Sequence, residues 1–89
     1  MEWVIELDSD GFKYDGYFVS IKKVGASNDV QVTNKVASAY KFTDLKKASK
    51  VALKLSSVGK IGSAMVFEVR GNKAGSIPVV DYYKGKIFK

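Results

Sequence analysis

From residue 44 to residue 60 the chain reads DLKKASKVALKLSSVGK, and no other stretch constrains the fold as strongly. At about 100° per residue, Leu45, Ala48, Val51, Ala52, Leu55 and Val58 fall within one arc of about 140°. An apolar stripe of that width is stable only against a hydrophobic surface, so it predicts a helix lying on a sheet. Thr43 or Asp44 is placed to cap the helix start by accepting from its exposed amides. Gly59 suits a left-handed stop. Lys46, Lys47, Lys50, Lys54 and Ser57 occupy a second arc of about 100°, and Leu53 projects beside these lysines, away from the apolar stripe.

The rest of the chain supplies the sheet. EWVIELD alternates, with Trp3, Ile5 and Leu7 on one side and Glu2, Val4 and Glu6 on the other, which is the period-two pattern of a half-buried strand. Asp10-Gly11 and Asp15-Gly16 are turn signals that place a reversal within 8–16. A second strand is expected over 16–24. After the bend GASN, a third runs through DVQVTNKVA, with Val30 and Val32 inward and Val36 as a further inward candidate. SAMVFEVRG reads as a fourth strand with Met65, Phe67 and Val69 on one side, and NKAGS as a connecting loop. Pro78 donates no ladder hydrogen bond, so residues 77–89 are expected as an edge strand or an extended basic-aromatic tail. The predicted class is α+β: an antiparallel sheet of four or five strands with one helix packed on one face, in the order β-β-β-α-β-β. The 89 residues suffice for one small domain and not for two.

Composition narrows the chemistry. The chain has no cysteine and no histidine, so disulfides, thiolate ligands and the usual near-neutral general base are all missing. Asp8 and Asp10 lie close together but within a turn signal. DSDGFKYDG is a poor calcium loop, because Gly11 comes too early and Val19 stands where the bidentate Glu is needed. GNKAGS lacks the spacing and the Gly-Lys-Ser/Thr ending of a phosphate-binding loop. No catalytic residue, metal site or cofactor is therefore assigned, and the reading is a non-enzyme. No segment approaches the roughly 18 apolar residues of a membrane span, and the acidic start MEWVIELDSD does not read as a signal peptide. A cytoplasmic location is expected.

The net charge of +6 is unevenly placed. Residues 1–34 hold three lysines against six acids, a net −3, whereas residues 35–89 hold eleven lysines and Arg70 against three acids, a net +9. Such asymmetry points to an acidic partner, unless the first hairpin neutralises the basic helix within the fold.

The layout WVIEL…DGYFVSI…ASAYKFTDLKKASKVALKL resembles small uncharacterised proteins of bacteriophages and prophages in Gram-positive bacteria. Those place a Gly-aromatic strand pair before an aromatic-x-acidic segment that opens an alanine-spaced helix. The matching positions are Gly16, Tyr17 and Phe18, then Phe42, Asp44, Ala48, Ala52 and Leu55, and the likeness spans about two thirds of the chain. It carries no known site. It implies the cytoplasm of a bacterial host, and as one alternative function an accessory or inhibitor protein that binds a host protein.

Lysine favours helices and belongs on a solvated face, which is the plain explanation of the basic arc. Against it, Lys46–Lys50 and Lys50–Lys54 are like-charge pairs at i,i+4, and Lys46 and Lys47 sit at the positive end of the helix dipole. Together these cost about 1 kcal/mol. The C-terminal DYYKGKIFK interleaves Lys84, Lys86 and Lys89 with Tyr82, Tyr83 and Phe88, a pattern suited to stacking bases and neutralising phosphates. With Arg70 as the sole arginine, any such contact would be to the backbone, salt-sensitive and indifferent to base sequence. The expected function is a non-catalytic binding domain. Lys46, Lys47, Lys50, Lys54, Lys84 and Lys86 would meet nucleic acid or an acidic protein surface, with Tyr82 and Tyr83 as contact area and Leu53 as a protein contact. A homodimer formed through an edge strand such as 77–83 is a further alternative.

Overall fold

The computed structural model describes residues 1–9, 14–25, 27–57 and 61–87. Its strands are β1 (Trp3–Asp8), β2 (Gly16–Val24), β3 (Ser27–Thr33), β4 (Ser63–Arg70), β5 (Lys73–Ala74), β6 (Val80–Tyr83) and β7 (Lys86–Ile87). One helix, α1 (Leu45–Ser56), joins them, and every strand pairing is antiparallel. The order across the sheet is β3-β2-β1-β4-β6-β7, with β5 folded back on β4. This is the α+β class and element order expected, with more strands. The additions, β5 and β7, have two residues each, too short to show a period.

Helix and sheet meet through the apolar stripe. Ile5 and Leu7 of β1, Ala64 and Val66 of β4 and Tyr82 of β6 pack against Ala48, Ala52 and Leu55. Each large apolar side chain so buried stabilises the fold by about 1.5–3 kcal/mol. Asp44 is the helix cap, its carboxylate accepting from the Lys46 amide at 2.9 Å. Thr43 does not serve. The helix ends at Ser56, ahead of the expected stop; Val58 and Gly59 lie outside the described residues, as does the Asp10-Gly11 turn. Ser56 is buried, with Oγ donating to the Leu53 carbonyl at 2.8 Å and accepting from the Gly85 amide at 3.1 Å.

That last bond explains the C-terminal segment. Residues 80–87 form a hairpin, neither a lone edge strand nor an extended tail, and its two-residue turn has Lys84 at φ 49° and Gly85 at φ 81°. Positive φ at both positions matches the right-handed twist of the flanking strands. Pro78 precedes β6, where the ladder requires no donor from it. β7 covers β6 at Tyr82 and Tyr83, and the seven-residue β3 forms the opposite edge of the sheet. NKAGS is likewise more than a loop: the chain reverses at Gly71 and pairs Lys73 and Ala74 with Arg70 and Val69.

The third strand stops at Thr33, short of the expected segment. Val36 lies in a single 3-10 turn (Val36–Ser38) and packs under the sheet with Val4, Ala39 and Phe67, on the face away from α1. Val4 does point away from the helix, as its alternation required, yet it is fully buried because this turn covers it.

The chain then passes between two strands. β1 and β2 share only the pairs Glu6–Tyr17 and Leu7–Gly16, and β2 carries a bulge between Phe18 and Ser20. Beyond those pairs, the Tyr40 amide donates to the Phe18 carbonyl at 3.0 Å, while Phe42 and Trp3 exchange two backbone bonds of 2.8 Å. Residues 40–42 are thus wedged between diverging strands, which brings Phe42 into the main core and starts α1 on the correct face.

Gly16 opens β2 at φ 137°, and a Cβ there would lie 2.7 Å from the Thr33 carbonyl oxygen. Gly25, at φ 61°, faces open space. Gly16→Ala is therefore expected to cost at least about 2 kcal/mol and Gly25→Ala about 1 kcal/mol. Urea unfolding of the two variants measures the difference, and equal losses would contradict the close approach at Gly16.

Candidate functional site

Lys46, Lys47, Lys50 and Lys54 are all exposed on α1, which has no acid in its first turn. Among the described residues the only ion pair joins Arg70 and Glu68, at 3.0 Å, so no described acid is ion-paired to the helix lysines. Lys41, in contrast, is tied down: its ammonium donates to the carbonyls of Val36 and Ala39.

Glu6, Asp8 and Asp15 face elsewhere. Glu6 lies between Ile5 and Leu7, which are buried toward α1, so its side chain projects to the opposite face of the sheet. There it stands opposite Tyr17 and Met65 and lines a hollow with Asp8 and Asp15. Burial, followed by the charges of Asp8 and Asp15, raises the Glu6 carboxyl above its ordinary value. Burial and then Glu6 raise Tyr17. Asp15 accepts from the Ser9 amide at 2.7 Å, and the Tyr14 amide donates to Ser9 Oγ at 3.0 Å, which fixes the approach to β2. Glu6, Asp8 and Asp15 thus lie across the sheet from the helix lysines.

The C-terminal residues divide. Tyr82 is 7% exposed and packs in the main core, so it is withdrawn from the contact surface expected of it; in β6 it alternates with Asp81 and Tyr83, and its side is the helix side. Tyr83 is 46% exposed, with the Lys84 ammonium 5.4 Å from its ring centre. Lys84 and Lys86 are exposed. Because Gly85 touches Ser56 and Ser57, the turn carrying Lys84 abuts the C-terminal end of α1, and the two basic clusters become neighbours. Phe88 and Lys89 lie outside the described residues. Leu53 is 39% exposed beside the lysines, as its helical position required.

One feature has no counterpart in the sequence reading. A groove of about 320 Å³ runs between β2 and α1, lined by Phe18, Val19, Ser20 and Ile21, by Tyr40 and Phe42 of the wedge, and by Lys47 and Val51 of the helix. Ile21 is 48% and Tyr40 52% exposed. Phe42 packs edge-on to Tyr40, at 4.7 Å between ring centres, and stacks on Phe18 at 6.2 Å. At about 100° per residue, Lys47, Lys54 and Lys50 stand about 40°, 60° and 100° from Val51, all turned away from the buried stripe. The lysines therefore flank the groove. Apolar residues at Ile21 and Tyr40 carry no period that marks them as exposed, so only the folded chain brings them beside the lysine arc.

No known protein family and no curated protein matches the chain, and no solved structure matches the fold. Among the described residues no helix is long and apolar enough to cross a membrane, and no group of three metal-ligating side chains comes together.

The raised Glu6 carboxyl has a consequence for stability. The folded state holds this proton more tightly than the unfolded chain, so ionised Glu6 costs stability above its folded pKa, and the cost vanishes below the ordinary carboxylate range. Glu6→Gln is expected to raise Tm at pH 7 and to lose that advantage as the pH falls through the carboxylate range. Thermal melts across pH check this, and a pH-independent difference would contradict it.

Proposed function

We propose that this chain is a non-catalytic binding domain that meets an acidic macromolecular surface, nucleic acid or protein, through Lys46, Lys47, Lys50 and Lys54, extended by Lys84 and Lys86. The observation that carries the reading is four exposed helix lysines with no acid among the described residues paired to them. Their mutual repulsion costs the isolated helix a few tenths of a kcal/mol per pair, which an acidic partner would convert into attraction. The placement of Glu6, Asp8 and Asp15 on the other sheet face supports the same reading, because these three acids do not cancel the field of the basic side at short range. The alternative of an accessory or inhibitor protein that binds a host protein draws support from the apolar groove beside the lysines.

Titration with an oligo(dT) strand and with poly-glutamate tests the reading. If the four helix lysines neutralise phosphates, oligo(dT) affinity should fall about 50-fold between about 50 and 200 mM salt. The K46E/K50E/K54E variant should weaken binding of both polyanions at least about tenfold and flatten the salt dependence. Equal affinity of variant and parent would remove the proposal.

A further inference from the structure

Building on that reading, we infer that the groove between β2 and α1 is the anchor pocket of the same surface, and that its occupant is one large apolar side chain carried by an acidic polypeptide segment. A volume of about 320 Å³ is at the lower end of ligand pockets and suits a single aromatic or branched side chain. Ile21, Tyr40 and Val51 offer apolar contact, while Lys47 stands at the rim with Lys50 and Lys54 on the flank beyond it. A buried apolar anchor ringed by charge is the arrangement in which a few residues supply most of the affinity and the rim supplies orientation. The rim is wholly cationic on the helix side, so the segment flanking the anchor must be acidic.

Nucleic acid fits this pocket less well. Phe18 and Phe42 are buried, so Tyr40 is the one ring of the aromatic trio open to stack a base. Base edges are commonly read by arginine, and the sole arginine, Arg70, is paired with Glu68. A second copy would bring its own net charge of +6 to the same basic flank.

The test uses fluorescein-labelled peptides with three acidic residues on each side of a central Trp, Leu or Ala, measured by anisotropy beside oligo(dT) of equal charge. The Trp and Leu peptides are expected to bind at least about tenfold tighter than the Ala peptide, and Ile21→Ser should close that gap while leaving the Ala peptide unchanged. Should Ile21→Ser fail to fold by circular dichroism, the Trp, Leu and Ala comparison on the parent protein decides alone. Equal affinities for all three peptides, each lost in K46E/K50E/K54E, would overturn the pocket and leave the basic face standing. Tighter binding of oligo(dT) than of any peptide would also overturn it, in favour of nucleic acid. A parent dimer in sedimentation velocity that Ile21→Ser dissociates would place a second copy in the groove instead. Absence of binding to every polyanion would overturn both the pocket and the reading beneath it.

Discussion

Residues 40–42 hold β1 and β2 apart, and much of the molecule depends on that wedge. A strand pair left to itself would continue its ladder. Here the ladder stops after two residue pairs, because the Tyr40 amide takes the Phe18 carbonyl and Phe42 takes both backbone groups of Trp3. The Phe18 carbonyl and both backbone groups of Trp3, displaced from one ladder, are thereby re-paired with the wedge. Upstream of the wedge, Val36 and Ala39 cover Val4 and Phe67 on one face; downstream, Phe42 enters the core of the other and Asp44 caps the helix. One short segment thus seals both faces of a small sheet, which matters in a chain with so little interior to spare.

The same divergence creates the groove. The helix packs along β1, β4 and β6, and the β2–β3 hairpin extends beyond its cover, so Phe18 closes the core while Ile21 is left half-exposed. Val51 forms the border on the helix side. Its neighbours in the direction of β2 are the lysines, since the basic arc begins where the apolar stripe ends. Charge and apolar surface are adjacent for a geometric reason that neither element has alone.

Several parts were legible beforehand because each is set by local chemistry. The alternation of EWVIELD, the stripe of DLKKASKVALKL and the acceptor side chain of Asp44 lie within one element, and each was found where expected. The departures share a different cause. Tyr82 and Tyr83 are chemically alike, and only pairing of β6 with β4 decides which one enters the core. Val4, on the side of β1 away from Ile5 and Leu7, and Val36, beyond the end of β3, meet beneath the sheet across more than thirty residues of chain. The Lys84-Gly85 turn had a visible signal, a glycine between two short apolar runs, but lysine at a position usually held by Asn or Asp concealed it.

By itself, then, the sequence determined an α+β chain with one amphipathic helix, a lysine arc free of acids and no thiol or imidazole chemistry, because periodicity, capping and composition are properties of neighbouring residues. Tertiary structure alone decided that Val4 and Val36 meet beneath the sheet, that Tyr82 is core and Tyr83 surface, and that an apolar groove opens beside Lys47. These depend on strand pairing and on the wedge at 40–42, where contacts between distant segments set the outcome and no local pattern records it.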